Sequence, residues 1–303
     1  MKLKLPARPR DQSAVGRVLI AGCGYVGEAA ADLFHAAGWF VEGWTASENS
    51  ASLLSGKPYP VRAVDVSRRD QVAARASVPA GFDALILCAS TRGGDPQAYR
   101  RVYFQGARNL LEAFPGSKLL FTSSTSVYAQ RDASWVTEQS ETKPTHERAC
   151  ILLETERLVL EAGGTVLRVA GIHGPGRSAL LSKLLKGAAI INPQIDRFVN
   201  QVHRDDITAA LFLLLSGELG SGQIYNVVDD QPILQSECYR WLAKRLRRPL
   251  PRIEESTQTR KRGDSNKRVS NAKLRGLGWE PRYPTFAEAM ERSILPSFAD
   301  RIS

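Results

Sequence analysis

An apolar run that leads straight into three spaced glycines is the feature that most constrains this chain. The segment Arg17-Val-Leu-Ile-Ala-Gly-Cys-Gly-Tyr-Val-Gly27 carries the pattern G-x-G-x-x-G. Gly22 permits a tight turn after a strand, Gly24 lets a ligand approach the main chain, and Gly27 lets the next helix pack close to the sheet. That helix directs its first N–H groups and its positive dipole end at bound phosphates. The pattern predicts a cradle for the pyrophosphate of a dinucleotide, NAD or NADP.

The residues around the glycines decide between this interpretation and a simple Gly-rich turn. Val18–Ala21 has the continuous apolar character of a buried parallel strand. Apolar residues then recur at helical spacing up to Ala37, and Gly38 suits the end of a helix. A second strand is predicted at Trp39–Trp44. The strand–helix–strand order favours the dinucleotide site over the turn.

Strand and helix patterns continue to alternate along the chain. Further strands are predicted near 60–64, 82–89, 118–124, 165–170 and 224–228. Helices are predicted near 97–114, 146–162, 178–185, 205–215 and 238–247, with two short ones at 272–275 and 286–293. Alternation of this kind indicates a parallel sheet covered on both faces. The expected fold class is α/β: a Rossmann-type doubly wound parallel sheet with a smaller C-terminal α/β substrate cap.

The predicted domain boundaries follow from these elements. Residues 1–16 form a basic leader that is expected to be disordered, and residues 17–175 form the Rossmann domain, to which residues 202–228 return. Residues 176–201 and 229–303 form the smaller substrate-binding region. We expect this region over the carboxyl edge of the sheet, where open α/β sheets bind ligands.

The amino-acid composition indicates the class of protein and the redox environment in which it is expected. A hydrophobic share of 43% and a charged share of 24% fit an ordinary soluble protein, and no apolar run is long enough to span a bilayer. The four cysteines are scattered without a C-x-x-C pair, which favours a reducing, cytoplasmic setting over disulfides. The spacing of potential ligand residues indicates no metal site.

The net charge of +10 is concentrated in one segment. Between Arg240 and Arg275, thirteen Lys and Arg residues stand against three acidic residues, which leaves a local balance of +10. Nucleic-acid binding is not favoured, because no recognised reading motif and no aromatic interleaving are present. One interpretation is a solvated helix face with a basic loop. The other is a site for an anionic substrate or partner, contacted by Arg260, Lys261, Arg262, Lys267 and Arg268.

Further motifs stand in a fixed order along the chain. They are Phe121-Thr-Ser-Ser-Thr-Ser-Val-Tyr128, Leu167-Arg-Val-Ala-Gly-Ile-His-Gly-Pro-Gly176, Val202-His-Arg-Asp-Asp-Ile207, Gly222-Gln-Ile-Tyr-Asn-Val227 and Ser270-Asn-Ala-Lys-Leu-Arg-Gly-Leu-Gly-Trp279. Together with the glycine loop, they resemble the short-chain dehydrogenase/reductase superfamily, in particular its extended NAD-dependent epimerase/dehydratase type and the atypical members of that type. The resemblance covers nearly the whole chain from Arg17. It implies a catalytic serine at Ser124 and a homodimer.

The chain departs from this family at two catalytic positions. The family carries a Y-x-x-x-K motif early in the helix after the serine, and alignment on Glu156 puts Arg148 and Leu152 there. The structural asparagine of the preceding long helix is also replaced, by Tyr103 or a neighbour. In the family the tyrosine transfers a proton while hydride moves to or from nicotinamide, and the lysine supports it. Positioned proton transfer is worth about two to four orders of magnitude in rate, so this chain needs another acid or base, or lacks that chemistry.

Two residues besides Ser124 are candidates for the missing role. Tyr128 ends the segment that carries the serine, with packing as its alternative role. His173 lies in the Gly-Pro loop that the resemblance places beside the substrate, where a histidine can shuttle a proton near neutral pH. Its alternative is a structural role in the loop. Asp205 and Asp206 are either site carboxylates or, in one case, the cap of the helix that follows.

The predicted cofactor contacts follow the carboxyl ends of the first four strands. They are Gly22, Gly24, Tyr25, Val26, Gly27, Thr45, Ser47, Asp65, Val66, Ala89 and Ser90. An NAD-binding chain usually carries an acidic residue at the end of the second strand for the ribose hydroxyls. Thr45-Ala-Ser47 stands there instead. This favours NADP over NAD, although the arginine that commonly pairs with the 2′-phosphate is also missing.

Two functions remain open from the sequence. The first is an NAD(P)-dependent oxidoreductase or epimerase that acts on an anionic, nucleotide-linked or sugar-like substrate. Its predicted substrate contacts are Thr125, His173, Arg177, Lys267 and Arg268. The second is a non-catalytic NAD(P)-binding sensor or interaction protein, which the missing tyrosine and lysine favour.

Overall fold

The computed structural model describes residues 15–76, 81–91, 93–217, 221–254 and 265–302. Residues 1–14 of the predicted leader and residues 255–264 of the basic segment therefore lie outside the described residues. None of the helices in these ranges has the length and apolar character needed to cross a membrane.

The described residues form fifteen strands and twelve α-helices. The strands are β1 Arg17–Ala21, β2 Phe40–Thr45, β3 Val61–Ala63, β4 Ala84–Leu87, β5 Lys118–Ser124, β6 Trp135–Val136, β7 Thr165–Val169, β8 Gly171–His173, β9 Ile190–Ile191, β10 Phe198–Val199, β11 Gln201–His203, β12 Ile224–Val227, β13 Ile233–Leu234, β14 Arg252–Ile253 and β15 Arg268–Val269. The helices are α1 Tyr25–Ala36, α2 Glu48–Ser52, α3 Arg69–Ala76, α4 Pro96–Tyr99, α5 Gly106–Ala113, α6 Glu147–Glu161, α7 Ala179–Leu185, α8 Arg204–Ser216, α9 Gln235–Arg245, α10 Ala272–Arg275, α11 Phe286–Ala289 and α12 Ala299–Ile302. Two π-helical segments are Arg100–Gln105 and Met290–Ile294.

Seven strands form the central sheet, in the order β12-β7-β5-β4-β1-β2-β3. The pairs β1–β2, β1–β4, β2–β3 and β4–β5 are parallel. Val18–Ala21 and Ala84–Leu87 are buried along their whole length, as expected of inner strands that are covered on both faces. These features confirm the Rossmann-type parallel sheet. The strand order reverses between β1 and β4, and open α/β sheets bind their ligands at such a switch point.

Helix α1 joins β1 to β2 and ends where the sequence predicts. Ala30, Ala31 and Phe34 on its apolar side are fully buried. Gly38 follows the helix with φ +81°, a left-handed value that is typical of the residue just after a helix.

The helix predicted near 97–114 is continuous but has a π-helical middle. α4 leads into the π-helical segment Arg100–Gln105, and α5 follows it directly. Tyr103, Ala107 and Leu110 of the predicted apolar stripe are buried. π-Helical turns are rare, but they are frequent at functional sites.

Asn109 is a polar residue within this apolar helix. Its side chain is 1% exposed and donates to the carbonyl oxygen of Val66 at 2.8 Å, while it accepts from the Gln105 side-chain amide at 2.7 Å. The helix also approaches closely at Gly106, where an added Cβ would lie 3.0 Å from Val66 Cγ2. Asn109 therefore anchors this helix to the loop after β3.

The chain divides into two compact units. Of the described residues, the first comprises those up to Thr122 with those of Cys150–Val166 and Leu211–Gln223, and the second comprises those of Ser123–Ala149, of Leu167–Ala210 and from Ile224 onward. The predicted Rossmann domain comprises residues 17–175 and 202–228. In this grouping, residues 123–149, 167–175, 202–210 and 224–228 of that range belong to the second unit.

The second unit has its own apolar core and four short strand pairs. The pairs β8–β11, β9–β14 and β6–β15 are parallel, and β10–β13 is antiparallel. The core residues come from α7, α9, α11 and the segments beside them: Leu180, Leu181, Leu184, Ala189, Ile191, Cys238, Tyr239, Leu242, Tyr283, Phe286, Ala289, Met290, Ile294, Leu295 and Phe298.

Replacing Asn109 with Ala is expected to lower the free energy of unfolding by about 1–3 kcal/mol, because the Val66 carbonyl and the Gln105 amide both lose a partner. Urea denaturation measures the loss. Arg108→Ala, at an exposed neighbouring position, is the matched control and should change the free energy by less than about 1 kcal/mol. Equal losses in the two variants would contradict the anchoring role of Asn109.

Candidate functional site

The glycine loop after β1 packs directly on the chain that follows β4. Gly22 has φ +106°, and an added Cβ would lie 2.2 Å from the main-chain nitrogen of Ala89. Its N–H donates to the carbonyl oxygen of Trp44 on β2 at 3.0 Å. Only glycine fits this conformation and this space. The loop therefore holds the carboxyl ends of β1, β2 and β4 together at the switch point of the sheet.

Gly24 and Gly27 have the two roles that the motif predicts. Gly24 is the N-cap of the 12-residue helix α1, and among the described residues no atom lies within 4 Å of a Cβ added there. At Gly27 an added Cβ would lie 2.2 Å from the carbonyl oxygen of Gly22, so the helix is held close to the loop. Tyr25 and Val26 complete the first turn. An open main chain at the positive end of a helix fits a pyrophosphate.

Two carboxylates on α1 pair with one lysine, which offsets part of their negative charge. Lys57 Nζ is 2.8 Å from Glu28 Oε1 and 2.7 Å from Asp32 Oδ2. Hydrogen bonds to Asp32 and Glu28 raise the pKa of Lys57. The lysine therefore reduces the repulsion that Glu28, in the first turn of α1, would exert on a bound phosphate. Sequence reasoning missed Lys57, since it lies 25 residues from Asp32 and no local pattern links the two.

The hydroxyl groups at the end of β2 form hydrogen bonds with other groups of the protein. Thr45 Oγ1 donates to the carbonyl oxygen of Ser47 at 3.1 Å. Ser47 Oγ donates to Ser50 Oγ at 3.1 Å and accepts the Ser50 N–H at 3.3 Å, which caps α2. To contact a 2′-phosphate, Thr45 and Ser47 would have to exchange these hydrogen bonds.

Asp65 and Val66 lie in the loop after β3. Asp65 Oδ1 accepts the Ser67 N–H at 2.9 Å, and the Asp65 N–H donates to Gln71 Oε1 at 2.8 Å. The carbonyl oxygen of Val66 is held by Asn109, as described above. Both predicted cofactor contacts therefore stand in a loop whose conformation is fixed by hydrogen bonds at the carboxyl edge of the sheet.

Ala89 and Ser90 follow β4 at the same edge. The main chain of Ala89 packs against Gly22, and Ser90 is exposed. The hydroxyl groups of Ser90 and Thr91 and the main chain of Thr91 contact the hydroxyl of Tyr103. Burial raises the pKa of Tyr103, while these hydrogen bonds lower it by less. Sequence reasoning did not place Tyr103 in the site, because its position in the helix matched a structural residue of the family.

Ser124 ends β5 and belongs to the second unit. Its Oγ accepts the Ser126 N–H at 3.1 Å and so caps the short helical turn Thr125–Val127. This bond uses a lone pair of Oγ and not its proton, so the hydroxyl can donate to a substrate oxygen. Thr125 is 9% exposed.

Tyr128 is buried, and its hydroxyl group both donates and accepts a hydrogen bond. The hydroxyl donates to Asn226 Oδ1 at 2.8 Å and accepts from Arg168 Nη1 at 3.0 Å, and the Arg168 guanidinium stacks over the ring at 4.9 Å. Tyr128 is 1% exposed, and burial raises its pKa. The structure therefore favours packing over the acid–base role that the sequence left open for Tyr128.

His173 and His203 stand opposite each other on β8 and β11. His173 is 1% exposed, its ring lies 6.0 Å from that of His203, and neither of its ring nitrogens has a hydrogen-bond partner among the described residues. Burial lowers the pKa of His173 to about 3, and the His203 ring adds to this effect. The expectation that His173 titrates near neutral pH is therefore corrected: the ring is buried and neutral.

Lys267 is buried rather than presented to a ligand. Its Nζ donates to the carbonyl oxygen of Tyr128 at 2.8 Å and to Ser265 Oγ at 3.0 Å, and the residue is 4% exposed. Burial, helped by the charge of Arg197, lowers the pKa of Lys267 to about 8. Its predicted substrate contact is therefore replaced by contacts within the second unit.

The two predicted arginine contacts also have structural roles. Arg268 Nε donates to the carbonyl oxygen of Ala133 at 2.8 Å, and its guanidinium lies over the ring of Trp135 at 5.2 Å. Arg177 closes the Gly-Pro loop, since its main chain exchanges two hydrogen bonds of 3.0 Å with Gly174. The remaining basic candidates, residues 260–262, lie outside the described residues.

Asp205 and Asp206 lie inside α8 rather than at its cap. The helix begins one residue before Asp205, whose N–H donates to His203 Nδ1 at 3.2 Å. The imidazole thus provides the acceptor that a capping aspartate would provide. Asp206 is 1% exposed and accepts the N–H groups of Arg282 at 2.6 Å and Tyr283 at 3.2 Å. Burial raises its pKa to about 6. The predicted cap is wrong, and Asp206 instead anchors residues 282–283.

The positions of the missing Y-x-x-x-K pair lie on α6. Arg148 is half-buried, and Leu152 is 4% exposed. In the part of the chain that the structure describes, no group of three or more His, Cys, Asp or Glu side chains is arranged to hold a metal ion.

A family model described as the NAD dependent epimerase/dehydratase family matches residues 18–227. No curated protein matches the chain.

Solved structures provide neighbours over almost the whole chain. A protein from Methylobacillus flagellatus, provisionally named an NAD-dependent epimerase/dehydratase, is 27% identical with a TM-score of 0.74, over 92% of this chain and 97% of its own. UDP-glucose 4-epimerase from Thermus thermophilus, in complex with NAD, is 21% identical with a TM-score of 0.77, over 90% and 96%. dTDP-glucose 4,6-dehydratase from Bacillus anthracis, in complex with NAD, is 15% identical with a TM-score of 0.79, over 94% and 97%. At this identity, the last two show a shared fold.

Replacing His173 with Phe is expected to make the protein less sensitive to acid. The unfolded chain binds a proton at this side chain near pH 6.5, but the folded chain does so at about pH 3, so this group destabilises the fold as the pH falls below 6.5. The variant should lose less stability on acidification, by up to about 1.4 kcal/mol per pH unit.

Urea denaturation from neutral pH down to about pH 4 measures this slope, which does not depend on the difference in size between the two side chains. His146→Gln, at an exposed position, should keep the slope of the original chain. An unchanged slope in the His173 variant would mean that this ring binds its proton as readily in the folded protein as in the unfolded chain.

Proposed function

The chain belongs to the NAD-dependent epimerase/dehydratase family, and on that premise we propose that it binds a nicotinamide dinucleotide and transfers hydride on a nucleotide-linked sugar. The observation that carries the proposal is the glycine cradle. Gly24 leaves the main chain open at the positive end of α1, and Gly22 and Gly27 leave no room for any side chain. A cradle of this form at the switch point of a parallel sheet supports pyrophosphate binding.

This chain's residues have distinct parts in the proposed reaction. When bound, the nicotinamide ring supplies the hydride acceptor or donor. The main chain at Gly24 and the first turn of α1 bind the pyrophosphate, and the loop at Asp65 and Val66 borders the adenosine half. The Ser124 hydroxyl donates a hydrogen bond to a substrate oxygen, since its capping bond leaves the hydroxyl hydrogen available.

The choice between the two cofactors depends on the end of β2. We propose NADP as the preferred form, because no carboxylate stands at residues 45–47 to accept from the ribose hydroxyls of NAD or to repel a 2′-phosphate. The NAD bound in two of the structural neighbours supports the other form. Titration with both reduced forms decides between them.

The proposed substrate class has two supports. Two structural neighbours are named for UDP-glucose and dTDP-glucose, and the chain has a net charge of +10, which favours an anionic substrate. A homodimer, as the family resemblance implies, is part of the same proposal.

A non-catalytic NAD(P)-binding sensor is the second candidate function. It is favoured by one observation, the Arg148 and Leu152 side chains at the positions of the family's tyrosine and lysine. A sensor would bind the cofactor but leave added nucleotide sugars chemically unchanged. An oxidoreductase would change the absorbance at 340 nm, and an epimerase or dehydratase, which regenerates its cofactor in each cycle, would convert the sugar.

Replacing Gly24 with Ala is expected to weaken NADPH or NADH binding at least about tenfold, because the new methyl group stands where the pyrophosphate approaches the main chain. The melting temperature should stay unchanged, since the added Cβ meets no described atom within 4 Å. Fluorescence titration of the reduced cofactors measures the binding.

Gly56→Ala is the matched control, because a Cβ there also meets no described atom within 4 Å and the position lies outside the cradle. It should keep full affinity. If the original chain shows no saturable binding of either reduced cofactor, the proposed function is wrong. If Gly24→Ala binds as tightly as the original chain, the cradle is not the phosphate site.

A further inference from the structure

We propose that the hydroxyl of Tyr103 is the acid–base group that faces the nicotinamide of the bound cofactor, in place of the tyrosine missing at Arg148. This inference rests on the proposed function and adds the residue that moves the proton. Tyr103 comes from the helix after β4, whereas the family's tyrosine would come from α6.

The position of the hydroxyl follows from the order of the sheet. A dinucleotide lies across the switch point, with its adenosine half over the end of β2 and its nicotinamide half on the opposite side. The opposite side begins with β4. Ser90 and Thr91 lie at the carboxyl end of β4, and the Tyr103 hydroxyl contacts both of them. The phenol therefore stands at the edge where the reactive half of the cofactor is expected.

The ring of Tyr103 is held in place by packing. It lies edge-on to the ring of Tyr99 at 5.0 Å and next to the buried ring of Phe121 on β5 at 6.0 Å. The residue is 9% exposed. It stands in the π-helical segment Arg100–Gln105, a type of turn that is frequent at functional sites. A ring fixed on two sides presents its hydroxyl group with little conformational freedom, which proton transfer requires.

The groups around the hydroxyl suit both of its protonation states. When a carbonyl is reduced, the Tyr103 O–H bond breaks, and its proton forms the new O–H bond of the alcohol as the carbon receives hydride from the reduced cofactor. The phenolate that remains is stabilised by the main chain and hydroxyl of Thr91 and by the hydroxyl of Ser90. Ser90 is exposed, so it can return a proton from solvent. Oxidation of an alcohol follows the same steps in reverse.

The ionisation of Tyr103 provides a test that needs no substrate. Tyr99 is an ionisable neighbour whose charge acts on Tyr103, and a bound cofactor would add a new charge near the phenol. The protein is produced with 3-fluorotyrosine, in which the ring fluorine lowers the pKa of the phenol and provides a ¹⁹F signal. Loss of one ¹⁹F resonance in Tyr103→Phe assigns the signal of Tyr103.

Oxidised nicotinamide carries a positive charge on its ring and reduced nicotinamide does not. We expect the ¹⁹F titration midpoint of Tyr103 to lie at least about one pH unit lower with saturating oxidised cofactor than with the reduced form. Tyr99 should shift less, and Tyr99→Phe should leave the Tyr103 signal and its shift in place. Tyr103→Phe should bind the reduced cofactor with unchanged affinity.

The outcomes separate this inference from the proposed function. Saturable cofactor binding with the same Tyr103 midpoint in both complexes overturns the role of Tyr103 and leaves the proposed function standing. Lack of binding overturns both. Where a nucleotide sugar is turned over, Tyr103→Phe should lower kcat by about 10²–10⁴-fold with unchanged cofactor affinity, whereas full activity of that variant contradicts the inference.

Discussion

The packing of the glycine loop on the chain after β4 is the constraint on which the candidate site depends. Gly22 has φ +106° and sits so close to Ala89 that a Cβ would overlap the main-chain nitrogen. The same residue donates to Trp44 on β2. One residue without a side chain thereby sets the spacing of three strand ends. Because Ser90 and Thr91 follow Ala89 directly, this contact also sets where the hydroxyl of Tyr103 finds its partners.

In the second unit, several polar side chains form a buried hydrogen-bonded network. Tyr128, Arg168, Asn226 and Lys267 are buried and joined by hydrogen bonds. A fully satisfied buried network stabilises one arrangement of the chain, whereas loss of one member leaves the others unpaired at a cost of about 1–3 kcal/mol each. Residues bound in this way are poor candidates for proton exchange with a substrate. Ser124 differs from them, because its capping bond does not use its proton.

The features that sequence could predict are those with a local pattern. Apolar runs and helical spacing gave the order of the main strands and helices, and the glycine spacing gave the cradle, because both depend on residues a few positions apart. The bonds of Lys57 to Asp32 and of Asn109 to Val66 join residues 25 and 43 positions apart, and no local pattern predicts them. The strand pairs of the second unit are only two or three residues long, too short for an alternation of polar and apolar residues to be recognised.

The sequence also did not indicate how deeply individual side chains are buried. His173 and Lys267 are predicted site residues because of the chemistry that their side chains have in water. Burial changes that chemistry. It lowers the pKa of His173 to about 3 and that of Lys267 to about 8, since the charged form of each loses its hydration. The capping of α8 shows the same limit: two adjacent aspartates predict a cap, but the ring of His203 already accepts the Asp205 N–H.

Burial also bears on the direction of the proposed reaction. The family's lysine favours the phenolate of its tyrosine, but the buried Leu152 stands at that position here. Burial raises the pKa of Tyr103, and the nearby hydroxyl groups offset this only in part. At neutral pH the phenol is therefore protonated, which suits donation to a carbonyl oxygen during reduction. Oxidation of an alcohol needs the phenolate, and the positive charge of the oxidised nicotinamide would stabilise it beyond what the hydrogen bonds of Ser90 and Thr91 provide. An epimerase alternates between the two steps within one cycle, so in this chain the charge of the cofactor itself would have to replace the missing lysine.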